Sequence, residues 1–196
     1  MKANKSKDNE FPTLLFAKQK DWLDWLRKNH AQSSGVWLKL AKKASASQSV
    51  SYAEALEIAL CYGWIDGQKK PYDESFWLQK FTPRGAKSIW SKINKAKAGE
   101  LIKSGRMKPA GLNAVERAKQ DGRWDAAYDS PSASTVPADF QARLNKSAKA
   151  KAFFAALNSA NRYAILFRIQ TAKKAETRAR KIEQFIEMLE RKEKLH

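Results

Sequence analysis

The stretch SYAEALEIALCYGWIDGQKKPYDESFWLQKF, residues 51–81, decides the fold. Ser51 followed by Glu54 spells a capping box, in which each side chain satisfies a backbone N–H of the other's turn. Ala55, Ile58, Ala59 and Tyr62 then recur at helical spacing, so a helix with one apolar face is predicted from Ser51 to Tyr62. Gly63 stands where a helix C-terminus needs a left-handed residue. Two apolar runs follow, Trp64–Lys69 and Ser75–Phe81, separated by the turn residues Pro71 to Glu74. They predict a β-hairpin docked on the helix.

The rest of the chain extends this unit in both directions. Upstream, Pro12–Phe16 reads as an edge strand opening with proline. Lys18–Asn29 reads as a helix with Trp22, Trp25 and Leu26 turned to the core, and Val36–Ala41 as a strand. Lys42–Val50 is a Ser/Lys/Ala loop, expected to be mobile. Downstream, Ser88 is the expected cap of a helix to about Lys103, with Ile89, Trp90, Ile93 and Leu101 as its buried positions. Pro109 near a helix start and Gly122 at its end delimit the next helix.

Residues 130–137, SPSASTVP, carry no bulky core residue beyond Val136 and read as a linker. Helices are then predicted over 137–144, 147–157, 160–173 and 175–192, with Ile182, Phe185, Ile186 and Leu189 forming one apolar stripe. The fold class is therefore α+β: a small antiparallel sheet of about four strands packed with helices, then a mostly helical module. We divide the chain into a disordered lead-in (1–10), an α+β core (11–130), a linker (131–137) and a basic helical module (138–196).

Composition narrows the function classes. The chain has 196 residues and a net charge of +18. Residues 141–196 hold 14 Lys and Arg against 5 Glu, half of the excess in under a third of the length. Such a field attracts polyanions, anionic membrane surfaces or acidic proteins, and it is equally the mark of a solvated basic surface with no dedicated partner. No run of about 18 apolar residues exists, so no membrane span is predicted. The first ten residues lack the apolar region of a secretory signal. One cysteine, Cys61, excludes an intrachain disulfide, and two histidines, His30 and His196, leave no metal-spaced cluster. We expect a cytoplasmic protein.

The chemistry concentrates between Gly63 and Asn94. Asp66 should share a strand face with Trp64, two residues away. A carboxylate beside an indole needs a partner, and Arg84 or Lys80 could supply it. Thr82, Pro83 and Arg84 form a stiff turn presenting a planar guanidinium, suited to a carboxylate or phosphate. Ser88 and the next amides would add a helix start. Trp90 and Asn94 fall one helical turn apart. Together with Gln68, these residues (Trp64, Asp66, Gln68, Thr82, Arg84, Trp90 and Asn94) make a candidate aromatic-walled site for a small anionic or planar ligand or a partner peptide. The competing reading of each is structural: a buried Asp–Arg pair, a helix cap, a core indole with its hydrogen-bonded neighbour.

No nucleophile–histidine set, phosphate loop, dinucleotide fingerprint or metal motif is present. Catalytic residues, cofactor and metal are accordingly assigned as none, and a binding protein is favoured over an enzyme that uses Asp66 as base. The alternative function is nucleic-acid binding through Lys173, Lys174, Arg178, Arg180 and Lys181 on the C-terminal helices.

SYAEALEIALCYGWIDGQ, FTPRGAKSIWSKIN and GRMKPAGLNAVERAKQDGRWDAAY, with VWLKLAKK at 36–43 and ETRARKIEQFIEML at 176–189, resemble the bacterial YdeI/OmpD-associated (OmdA, bacteriocin-protection) family almost end to end. The family motif maps onto Trp64, Asp66, Gly67, Gln68, Phe81, Thr82, Pro83, Arg84, Trp90, Ser91 and Asn94. The resemblance implies a cytoplasmic bacterial protein with an α+β core, a helical C-terminal region, an association with porin expression and bacteriocin tolerance, and no established reaction.

Overall fold

The helix–hairpin unit forms as its sequence dictates. The computed structural model describes residues 11–196; the lead-in expected over residues 1–10 lies outside the described residues. Among the described residues there are four strands and eight helices, which makes the fold α+β. In chain order these are β1 (Thr13–Leu14), α1 (Gln19–Asn29), β2 (Val36–Ala41), α2 (Tyr52–Cys61), β3 (Trp64–Pro71), β4 (Phe76–Pro83), α3 (Lys92–Lys103), α4 (Pro109–Gln120), α5 (Ala138–Asn145), α6 (Ala148–Ala156), α7 (Ser159–Gln170) and α8 (Ala175–Glu190).

Two compact units divide the chain: residues up to Ser88 with Asn94–Trp124, and Ile89–Ile93 with Asp125–His196. The first contains one mixed sheet in the order β1-β2-β4-β3. β1 runs parallel to β2, while β2–β4 and β4–β3 are antiparallel. The capping box at Ser51 is complete, with Ser51 Oγ accepting from Glu54 N and Glu54 accepting from Ser51 N. In the β3–β4 turn, Asp73 Oδ1 accepts from the amides of Ser75 and Phe76 at 2.8 and 2.7 Å.

Register assigns the two sheet faces. Trp64, Asp66 and Phe81 fall on one side with Val36, Leu38 and Leu40. On this side Trp22 of α1 meets Trp64 and Phe81, at ring separations of 6.5 and 5.7 Å. Trp22 also stacks on Trp25 at 5.3 Å. Trp22 and Leu26 are fully buried, while Trp25 is only half-buried. Both buried indoles are satisfied: Trp22 Nε1 donates to Ala55 O and Trp64 Nε1 to His30 O, each at 3.1 Å. The strand β2 is more buried than an alternating pattern implies, since Trp37 on its other side is also covered.

Two glycines weld α2 to α4. Gly63 has φ +72°, and a Cβ there would lie 2.7 Å from Ala110 O. A Cβ on Gly111 would meet Leu60 O at 2.8 Å and Cys61 O and Met107 Sδ still closer. The backbones can approach this far only because neither residue has a side chain.

The helix expected from Ser88 begins instead at Lys92. The physical reason lies in the second unit. Lys92 N donates to Tyr128 O, and Tyr128 N to Trp90 O, so the backbone around Ser91 is committed to a bridge with Tyr128. Ile89 and Ile93, expected inside, are 38% and 51% exposed, whereas Trp90 and Leu101 are buried. The second unit's core is built from the apolar faces of α5–α8, including Phe140, Leu144, Phe154, Ile165, Ile169, Ile182, Phe185, Ile186 and Leu189.

Candidate functional site

The residues expected to form an aromatic-walled site are held by one strand ladder, but their side chains diverge. Trp64 lies opposite Pro83, Ile65 opposite Thr82 and Asp66 opposite Phe81. Arg84 N donates to Gly63 O at 2.9 Å, which ties the Thr-Pro-Arg turn to the end of α2. Asp66 does share a face with Trp64. Its carboxylate accepts from Tyr52 Oη at 2.8 Å and, among the described residues, is not paired with Arg84 or Lys80. Trp64 is 1% exposed, an interior ring and no cleft wall. Thr82 faces the opposite side of the sheet from Trp64, and Gln68 is exposed next to the irregularity between Asp66 and Lys69. Arg84 is buried, so its guanidinium is not presented at the surface. Trp90 is buried and belongs to the second unit, whereas Asn94 opens the return of the chain to the first.

The concave feature of the first unit lies elsewhere, along α1, the end of α2 and the start of α4. It is a cleft of about 820 Å³ lined by Gln19, Lys20, Leu23, Asp24, Arg27, His30, Ile58, Cys61, Tyr62, Arg106, Lys108, Pro109 and Ala110. The Gly63 and Gly111 contacts place its two far walls. α1 contributes Lys20, Asp24 and Arg27 at successive turns, and the turn before α4 contributes Arg106 and Lys108. Four cations thus face one carboxylate. Asp24 binds Lys20 Nζ at 2.9 Å and Arg27 at 3.2 Å. The Lys20 hydrogen bond is the main reason the Asp24 carboxyl sits below its ordinary range. Arg106 Nη1 is shared with Glu57 at 3.1 Å. Lys108 has no ion-pair partner among the described residues.

His30 joins the polar rim. Its Nδ1 lies 2.9 Å from Leu26 O, which can only accept, so Nδ1 donates and Nε2 is left for a ligand. The ring packs on Tyr62 at 5.0 Å. Leu23, Ile58 and the Tyr62 ring supply the apolar side. Pro109 begins α4, no side chain caps that helix, and its first-turn amides have no acceptor within the helix. Burial raises both the Cys61 thiol and the Tyr62 hydroxyl above their ordinary values. The thiol is therefore protonated at neutral pH and a poor nucleophile. The chemistry here is that of holding an anion against an apolar wall.

Sequence reasoning missed Arg27, His30, Arg106 and Lys108 as a group, because three separate segments supply them. The one local signal was the Arg-Met-Lys-Pro run at 106–109, two cations immediately before a helix start.

On the C-terminal helices, the five candidate cations separate. Arg178 grips Asp139 through Nε at 2.6 Å and Nη2 at 2.9 Å, and its Nη1 donates to Ile169 O at 2.9 Å. Lys181 Nζ donates to Arg168 O at 3.0 Å. Both cations thus serve carbonyls near the end of α7, where positive charge is favoured. Lys173, Lys174 and Arg180 remain exposed. A second hub had no sequence signal: Asp129 accepts from Lys92 Nζ at 2.6 Å and Gln170 Nε2 at 2.8 Å, which hold its carboxyl below the ordinary range.

No helix among the described residues is long and apolar enough to cross a membrane. No curated protein and no solved structure matches the chain at a significant level. Two family models do. Residues 133–192 match the family described as Bacteriocin-protection, YdeI or OmpD-Associated, which supports the resemblance drawn from the sequence over the C-terminal part only. The motif residues between Trp64 and Asn94 fall instead within a match over residues 14–114, just over half of the chain. On that match, the chain belongs to the family of the domain of unknown function DUF8412.

Proposed function

We propose that this is a binding protein rather than an enzyme, and that its first unit holds a small anionic ligand with an apolar or planar part in the cleft between α1, α2 and the start of α4. The observation that carries this is the lining itself: Arg27, Arg106 and Lys108 converge with His30 on a space walled by Leu23, Ile58 and Tyr62. A pocket of mostly apolar lining with a few convergent polar groups is the usual form of a small-molecule site. Lys108 matters most, since Arg27 and Arg106 already share carboxylates. A bacteriocin-protection role, carried by the name of the family matched at 133–192, is part of this reading and gives no ligand.

Thermal-shift titration with benzoate and with inorganic phosphate tests it. Benzoate should raise the melting temperature of the wild-type chain more than phosphate does, because only benzoate also fills the apolar wall. Lys108→Ala should remove most of that rise while leaving the stability of the unliganded protein within about 0.5 kcal/mol of wild type, as for a surface substitution. Equal stabilisation of both proteins by benzoate would refute the site.

A further inference from the structure

We infer that the ligand of the cleft is a hydroxylated aromatic carboxylic acid, with Tyr62 and His30 selecting its hydroxyl group; this rests on the proposed function of the cleft as an anion site. Tyr62 ends α2 and His30 ends α1, each as the C-cap residue. Both line the cleft, and their rings meet at 5.0 Å with 50° between the planes. Tyr62 is only 6% exposed, yet its hydroxyl makes no hydrogen bond among the described residues. A buried phenol normally finds a partner within the fold. The oxygen is not sealed from solvent, so the small exposed part of Tyr62 includes its polar tip, and the space that tip reaches is the cleft.

The His30 ring supplies the complementary group. Its Nδ1 donates to Leu26 O, so in the neutral ring Nε2 is an acceptor. The pair therefore offers one donor and one acceptor to the same space. An anionic oxygen has only lone pairs, so it could accept from Tyr62 but would be opposed at Nε2. An ammonium has only protons to give and leaves the phenolic proton unmatched. A hydroxyl group accepts from Tyr62 and donates to Nε2. Neither side chain needs much ordering when a ligand arrives. The His30 ring is pinned at Nδ1, and His30 O accepts from Trp64 Nε1 at 3.1 Å. Tyr62 is followed by Gly63, whose left-handed backbone abuts Ala110. Such preorganisation lowers the cost of binding. The anion end is tied to the same place, because Lys108 N donates to Cys61 O at 3.0 Å and Lys108 leaves the chain beside Tyr62. Leu23 and Ile58 give the apolar wall. An aromatic acid with a ring hydroxyl carries the anion, the flat apolar body and the hydroxyl in one small rigid frame.

Isothermal titration calorimetry of the full chain with benzoate, meta-hydroxybenzoate and para-hydroxybenzoate tests this. At least one hydroxybenzoate should bind about tenfold tighter than benzoate or better, the combined worth of two neutral hydrogen bonds. Tyr62→Phe should cut that preference to about threefold or less, since one of the two bonds is lost, and should keep benzoate affinity within about twofold. The hydroxyl has no partner to lose among the described residues, so Tyr62→Phe should also leave the unliganded melting temperature unchanged or raise it. Lys108→Ala should weaken all three acids by one common factor and preserve the preference. Lys108-dependent binding of benzoate with no preference for either hydroxybenzoate overturns this inference and leaves the anion site standing. A preference that Tyr62→Phe does not reduce overturns it as well. Binding of none of the three acids overturns both readings.

Discussion

Gly111→Ala should destabilise the protein, although alanine is the better helix former. Gly111 lies inside α4 with ordinary helical backbone, so propensity alone favours alanine by about 1 kcal/mol. Against this, the new Cβ would stand 2.8 Å from Leu60 O and closer still to Cys61 O and Met107 Sδ. The methionine end can move; the two carbonyls are backbone at the end of α2. Moving them disturbs the bonds they accept, from Gly63 N at 3.1 Å and Lys108 N at 3.0 Å. Overpacking of this kind costs about 1–3 kcal/mol, and two weakened hydrogen bonds add about 1 kcal/mol each. The net expectation is a loss of about 2–4 kcal/mol, or a drop in melting temperature of roughly 4–16 °C for a chain of this length. Gly99→Ala is the matched control. Gly99 is also helical, in the interior of α3, but a Cβ there meets nothing within 4 Å. It should stabilise by about 0.4–1 kcal/mol. Urea denaturation followed by tryptophan fluorescence is the assay, because six of the seven tryptophans lie in the first unit. A Gly111→Ala protein as stable as wild type or more so would refute the weld between α2 and α4.

Trp64→Phe should cost about 2–3 kcal/mol, since it removes ring volume from the aromatic core and leaves His30 O without its indole donor; equilibrium unfolding measures it. Asp139 governs an acid-limb effect in the second unit. Arg178, then the Phe140 amide, hold its carboxyl below the unfolded value, so its stabilisation is present above about pH 4 and is lost as pH falls through the lower folded value. Asp139→Asn should lower stability at pH 7 by about 1 kcal/mol or less, because the pair is partly exposed, and the difference from wild type should vanish near pH 2. A pH series of thermal melts decides it, and a difference constant across pH would refute the linkage.

The helix–hairpin unit was legible because its signals are local. Ser51 with Glu54, the apolar face to Tyr62, the left-handed Gly63 and the Asp73 turn each act within a few residues, and the structure keeps all of them. The four C-terminal helices were legible for the same reason, their apolar stripes being set by helical period. The start of α3 was not legible, because Tyr128, far along the chain, claims the backbone that a Ser88 cap would have used.

The sequence by itself determined the α+β class, the order of the elements and the strong basic charge, since propensity, periodicity and composition need no partner. Only tertiary structure decided which polar groups meet. It gave Asp66 to Tyr52 rather than to Arg84, turned Trp64 and Arg84 inward, and engaged Arg178 and Lys181 at the end of α7. It also brought Arg27, His30 and Lys108 to one cleft. Helix and strand signals are short-range, whereas a site is a set of distances between segments, fixed by packing, by register and by two glycines that let α2 and α4 touch.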